Sequence, residues 1–155
     1  MEQPELLVDL LIKVEEGIEP KQTDYGISQS EFGAIIEDAQ DSGLIKGAYV
    51  KRAGQFVISF VDGATITVPG MLFINSSRIP LLVDILKKID SGTEPKPTDA
   101  NDAKKLWDLA AAAQDYGLIK EAHFKSGGHG NKKIIGFLDK ARVTLAGKEF
   151  IRKYT

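Results

Sequence analysis

Apolar side chains recur along the chain first with a helical period and then with a period of two, and the cycle runs twice. Leu6, Leu7, Leu10, Leu11 and Val14 form a stripe at helical spacing. Pro4 suits the first turn of that helix, where its missing N–H costs nothing, and Glu15-Glu16-Gly17 ends it. Residues 18–27, with Pro20, Asp24 and Gly26, read as turns able to hold a short helical turn at most. Ser28-Gln29-Ser30-Glu31 predicts a capping box. The helix it opens has Phe32, Ile35, Ile36 and Ala39 as its core face, with Gly33, Ala34, Glu37, Asp38 and Asp41 on the surface away from the core. Gly43 closes that helix in the left-handed conformation. From Ala48 to Phe60, Tyr49, Val50, Phe56, Ile58 and Phe60 predict two strands around a tight Ala53-Gly54 turn. Thr67 caps a last helix carrying Leu72 and Phe73, with Pro69 in its first turn.

The same pattern then returns. Leu6-Leu7-Val8-Asp9 matches Leu81-Leu82-Val83-Asp84, and residues 17–24 match 92–99 in their Gly, Glu-Pro-Lys and Thr-Asp positions. Gln40-Asp41-Ser42-Gly43-Leu44-Ile45-Lys46 reappears as Gln114-Asp115-Tyr116-Gly117-Leu118-Ile119-Lys120. Residues 67–74 match Thr144-Leu145-Ala146-Gly147-Lys148-Glu149-Phe150-Ile151. Collinear matches with gaps only at loops mark a tandem duplication. Helix, turn, helix, hairpin, helix is a winged-helix unit with its middle helix reduced or lost. The expectation is an α+β chain of two tandem winged-helix domains, residues 1–75 and 76–155, each with about three helices and a β-hairpin wing, joined through Asn75-Ser76-Ser77.

The leucine-rich first helix, the Gly-Leu-Ile exit and the Thr-x-x-Gly-x-x-Phe-Ile ending resemble the YjcQ family of small bacterial and phage winged-helix proteins. The resemblance covers each repeat nearly whole and rests on short apolar motifs. It implies the fold and, through the habit of that fold, DNA binding. The tandem copy departs from the single-domain form.

Composition changes the picture mainly through charge. Of the 155 residues 43% are hydrophobic and 27% charged, as in a soluble globular protein. Without cysteine there is no disulfide, thiolate metal site or cysteine nucleophile. The acidic N-terminus lacks the basic start of a signal peptide, and Asp9 and Lys13 interrupt its apolar run, so a cytoplasmic protein without a membrane span is expected. The net charge of −2 divides unevenly: residues 1–75 carry 5 Lys+Arg against 12 Asp+Glu, a net of −7, and residues 76–155 carry 15 against 10, a net of +5. A polyanion would meet the second repeat first.

Candidate chemistry concentrates there. Ser126-Gly127-Gly128-His129-Gly130-Asn131-Lys132-Lys133 is not a P-loop, because Lys133 rather than Ser or Thr follows the lysine and a strand, not a helix, comes next. It reads as a basic wing tip able to reach phosphates, or equally as a solvated hairpin loop kept soluble by its lysines. His123 and His129 have no companion ligands for a metal, and His123, aligned with Tyr49, is expected to pack its ring on a strand. No nucleophile–base–acid motif is present, so neither an enzyme nor a cofactor is expected.

The third helices are the usual DNA readers of this fold. In the first repeat that helix carries carboxylates that repel phosphates. In the second, Lys104 and Lys105 can meet phosphates, whereas Ala111 and Ala112 offer nothing that reads a base. Small residues (Gly33, Ala34, Ala111, Ala112) permit close approach of another helix, so a protein partner or self-association through the third helices is one reading, and alanine as a plain helix former is the other. Trp107 either sits at the edge of the core face as an interface anchor, or takes the place of Phe32 and is buried. Two functions follow. One is duplex DNA binding through the second repeat, with Lys104, Lys105, Lys125, Lys132 and Lys133 on phosphates. The alternative is a protein-interaction adaptor with no nucleic-acid binding.

Overall fold

The computed structural model describes residues 3–97, 103–126 and 134–155, and the chain divides into two compact units, Met1–Ile74 and Asn75–Thr155. Both are mixed α+β, with helices around small antiparallel sheets. Unit 1 runs α1 (Gln3–Glu16), a 3-10 turn (Gln22–Asp24), α2 (Gln29–Asp41), β1 (Ile45–Lys46), β2 (Tyr49–Ala53), β3 (Phe56–Phe60), β4 (Thr65–Ile66) and α3 (Val68–Phe73). Unit 2 runs α4 (Ile79–Asp90), α5 (Ala103–Asp115), β5 (Ile119–Lys120), β6 (His123–Ser126), β7 (Ile134–Phe137), β8 (Arg142–Val143) and α6 (Leu145–Tyr154). In each unit a two-stranded hairpin, β2–β3 or β6–β7, projects from a short clasp, β1–β4 or β5–β8.

The helical stripes bury as their spacing predicts. Leu6, Leu10, Leu11 and Val14 of α1 face Phe32, Ile35, Ile36 and Ala39 of α2 in one core with Ile45, Val68 and Met71. In unit 2 the core joins Leu82, Ile85 and Leu86 to Leu106, Leu109, Ala110 and Ile119, with Phe150 of α6 beside them. Each buried Val, Leu, Ile, Phe or Met among these contributes roughly 2 kcal/mol. Ser28 caps α2, accepting the Glu31 N–H at 3.1 Å. The box is not reciprocal as predicted, since the Glu31 carboxylate accepts the Ser28 hydroxyl at 3.2 Å.

A repeated motif ties the base of each hairpin. Gly43 (φ +76) and Gly117 (φ +82) end α2 and α5 in the left-handed region. The bonds Gly43 N–H to Gln40 O and Leu44 N–H to Ala39 O, at 3.0 and 2.9 Å, make a Schellman close, and Gly117 and Leu118 repeat it at 3.0 and 2.8 Å. The chain then returns to this corner: Thr67 N–H donates to Leu44 O at 3.1 Å, and Thr67 Oγ1 donates to Gly43 O and accepts from Gly70 N–H, at 2.5 and 3.0 Å. Thr144 does the same at Gly117, Leu118 and Gly147. Gly70 and Gly147 are obligatory, because a Cβ on either would run into the Leu44 or Leu118 carbonyl. Gln40 adds a two-point clamp, its amide donating to Ala48 O at 3.0 Å and accepting Ala48 N–H at 2.8 Å. Gln114 holds Ala122 at the same two distances.

Unit 1 also has a polar latch. The Tyr25 hydroxyl donates to Asp9 at 2.8 Å, its ring stacks on Phe32, and Lys13 Nζ lies 4.7 Å from the ring centroid and 3.2 Å from both Asp9 and Asp24. Burial, then the bond to Asp9, pushes the Tyr25 hydroxyl up to about 12. The Lys21 N–H and the Lys13 ammonium hold Asp24 below the usual carboxylate range. Burial opposes the charge on Lys13, but the bonds to Asp9 and Asp24 outweigh it and raise its pKa.

Candidate nucleic-acid interface

The hairpin registers decide which side chains face outward. In unit 2 His123 pairs with Phe137, Phe124 with Gly136, Lys125 with Ile135 and Ser126 with Ile134. Cross-strand partners share a face and successive residues alternate. His123, Lys125 and Phe137 are therefore on the outer face, all exposed, with Lys125 Nζ 6.0 Å from the Phe137 ring centroid. His123 is a strand residue as expected, but its side chain is exposed. Lys132 and Lys133 lie outside the described residues.

On α5, Lys104 is exposed but pairs with Asp108 at 2.8 Å, and Lys105 is half-buried. Ala111 is partly exposed, whereas Ala112 is only 6% exposed, so it is covered within its own unit and not open to the close approach of another helix. Trp107 does not take the place of Phe32 and is not fully buried, which corrects that reading. It occupies the helical position of Gly33, while buried Leu106 takes that of Phe32, and its Cε3 lies 2.7 Å from where a Gly136 Cβ would be. It is a half-buried spacer between α5 and β7.

In unit 1 Gly33 is buried, again a correction: α2 turns this position toward its own hairpin, where a Cβ would meet Val57 Cγ1 at 2.6 Å. Ala34 is exposed, as are Glu31, Asp38 and Asp41, and Glu37 reaches Arg52 at 2.6 Å. The β2–β3 register joins Tyr49 to Phe60, Lys51 to Ile58 and Ala53 to Phe56 on the outer face. The turn is therefore Gly54-Gln55, one residue later than predicted, with positive φ at Gly54 alone of the pair, the pattern of a II′ hairpin. A one-residue shift of turn decides which side chains look outward, so the apolar outer face of this hairpin was not assigned from sequence.

The sequence reading also missed the two glutamine clamps and the Tyr25 latch. The only signal for the clamps was the recurrence of glutamine eight residues before alanine in both repeats. A shallow cleft of about 440 Å³, open mouth included, lies between Val14, Gly17, Ile18 and Glu19 and the chain at Val61, Asp62 and Ala64. Its lining brings carboxylates but no nucleophile. Among the described residues no cluster of three His, Cys, Asp or Glu is arranged to hold a metal, and no helix is long and apolar enough to cross a membrane.

No protein-family model matches the chain, and no match was found among curated proteins or solved structures.

Proposed function

We propose that the chain is a non-enzymatic DNA-binding protein of two tandem winged-helix domains, residues 1–75 and 76–155, acting in the cytoplasm as a bacterial or phage regulator, as its resemblance to the YjcQ family implies. The order of helix, reduced turn, helix, hairpin and helix supports the winged-helix reading. The observation that carries DNA binding is Lys125: it stands exposed on the outer hairpin face with no ionic partner among the described residues, shortly before the segment that brings Lys132 and Lys133. Lys105 and Lys120 likewise have no ionic partner among the described residues. Lys104 contributes less, because Asp108 stays beside it and would face the same phosphate.

Binding of this kind is tolerant of sequence. Base reading calls for Arg, Asn or Gln aimed into a groove, and Gln40 and Gln114, the glutamines that end these two helices, are committed to the backbone clamps. Fluorescence anisotropy with a labelled duplex tests the reading. Affinity should fall steeply with salt, and charge reversal of Lys125, Lys132 and Lys133 together should flatten the log–log slope by roughly 2 to 3, one phosphate contact being worth about 0.9. Absence of binding at low salt would overturn it.

A second reading, the protein-interaction adaptor, is favoured by the carboxylates along the outer face of α2. The exposed Ala34 of α2 and the partly exposed Ala111 of α5 remain candidates for packing with a partner or a second copy. Gly33, Trp107 and Ala112 are engaged within their own units.

A further inference from the structure

The outer face of the β2–β3 hairpin is apolar where a surface strand is ordinarily polar. Tyr49, Phe56, Ile58 and Phe60 are between 46% and 69% exposed, and the register groups them on one face. Tyr49 and Phe60 already lie against each other, their ring centroids 6.0 Å apart. Apolar clusters of this kind on a small unit mark interaction surfaces. Among the described residues the strands pair only with each other, so each has an outer edge whose backbone groups can take another strand.

Charge selects the occupant. Lys51 is the one charged side chain on this face. It has no ionic partner among the described residues, whereas its neighbour Arg52 turns to the other face and is engaged by Glu37 at 2.6 Å. A partner covering the aromatic side chains also removes water from Lys51, and an ammonium buried unpaired is strongly unfavourable. The partner must therefore bring an anion opposite Lys51 with apolar groups on either side. A nucleic acid carries both phosphates and stacking bases, but it also brings many charges to a unit of net −7 whose α2 displays Glu31, Asp38 and Asp41. A single carboxylate matches a single lysine without that repulsion.

We propose that this face docks an extended protein segment of pattern apolar–x–acidic–x–apolar, added along β2 with its carboxylate on Lys51. The period of two follows from the ladder: Tyr49, Lys51 and Ala53 are alternate residues of β2 on one face, and an added strand would set its own alternate residues beside them. Ala53 leaves room for a large side chain next to Phe56. This surface belongs to unit 1 and is independent of what the second unit binds.

The test is selection followed by charge exchange. A phage-displayed random heptapeptide library is panned on the full chain, and an enriched sequence is synthesised with a fluorescein label for anisotropy. Enriched peptides should share an acidic residue flanked at two residues on each side by apolar ones. Lys51→Glu, an exposed change whose fold is checked by circular dichroism, should weaken binding at least tenfold. Replacing the peptide carboxylate with lysine should restore binding to that variant. Phe56→Ser should also weaken binding, whereas Lys125→Glu, which probes DNA binding by the second unit, should leave it unchanged. Enrichment of nothing above an unrelated bait, enrichment without acidic preference, unaltered affinity of Lys51→Glu, or displacement of the peptide by oligo-dT would each overturn the proposal.

Discussion

The two units make the same close approach of helix to hairpin with the small residue on opposite partners. In unit 1 the helix gives way: Gly33 on α2 leaves space for Val57, Val50 and Ser59 of the hairpin. In unit 2 the hairpin gives way: Gly136, at the position of Ser59, leaves space for Trp107, at the position of Gly33, with Phe124 in place of Val50. The filled volume is matched across the contact rather than at either residue, as close packing requires. The exchange is imperfect on one side. Ser59 Oγ is buried with no hydrogen-bond partner among the described residues, a cost that Gly136 avoids. A residue-by-residue alignment pairs Gly33 with Trp107 as a gross mismatch, and only the pair Gly33/Ser59 against Trp107/Gly136 makes sense of it.

The largest expected effect comes from forcing one solution into the other unit. Gly33→Trp alone overpacks the contact and should destabilise unit 1 by about 3 kcal/mol. Adding Ser59→Gly should recover part of the loss, with a coupling energy of about 1 to 3 kcal/mol. Denaturant dependence of amide exchange at Ile36 measures both, and strict additivity would break the comparison. Trp107→Ala should cost unit 2 about 2 kcal/mol, below the range for a fully buried tryptophan because the residue keeps some solvent exposure. Tyr25→Phe removes the bond to Asp9 and should cost about 1 kcal/mol in unit 1 alone.

The same latch gives unit 1 a pH signature. The Tyr25 pKa is raised from an ordinary value of 10.0 to about 12, so its contribution is present below about pH 10 and lost as pH rises through 12. Asp24 has a lowered pKa, so its contribution is present above about pH 4 and lost as pH falls through the native value. An alkaline titration of unit 1 exchange should show the loss in the native chain and lack it in Tyr25→Phe. The smallest effect is the simplest: Ser59→Ala removes an unpaired buried hydroxyl and should stabilise unit 1 by up to about 1 kcal/mol.

Much of this architecture was legible. The stripes of α1 and α2, the caps at Ser28 and Thr67, and the glycine at each helix end are local signals, and the structure places the elements where those signals fall. Faces were less legible. Phe32, Ile35, Ile36 and Ala39 are buried as read, but α2 and α5 are covered on a second side by their hairpins, so the buried arc is wider than one stripe. Gly33 lies in that extra arc, against Val57, which is why the sequence set it outside. The hairpin turn was read one residue early, and a register error inverts faces. Contacts such as Tyr25 with Asp9 or Gln40 with Ala48 depend on tertiary geometry that no local pattern encodes. Of the lysines read as phosphate contacts, the structure speaks to Lys104, Lys105 and Lys125 and sets an aspartate beside the first.

The threonine corner at the foot of each hairpin has a mechanical consequence. Gly43 and Leu44 lead into the hairpin, Thr67 leads out, and hydrogen bonds between them close the intervening chain into a loop without any covalent link. Bending or twisting of the strands is then absorbed above this knot instead of being passed to α3 below it. Native-state hydrogen exchange should then find the Val50–Ser59 ladder less protected than the Leu44, Thr67 and Gly70 amides. Such a hairpin can adjust to whatever it touches while the core beneath keeps its shape.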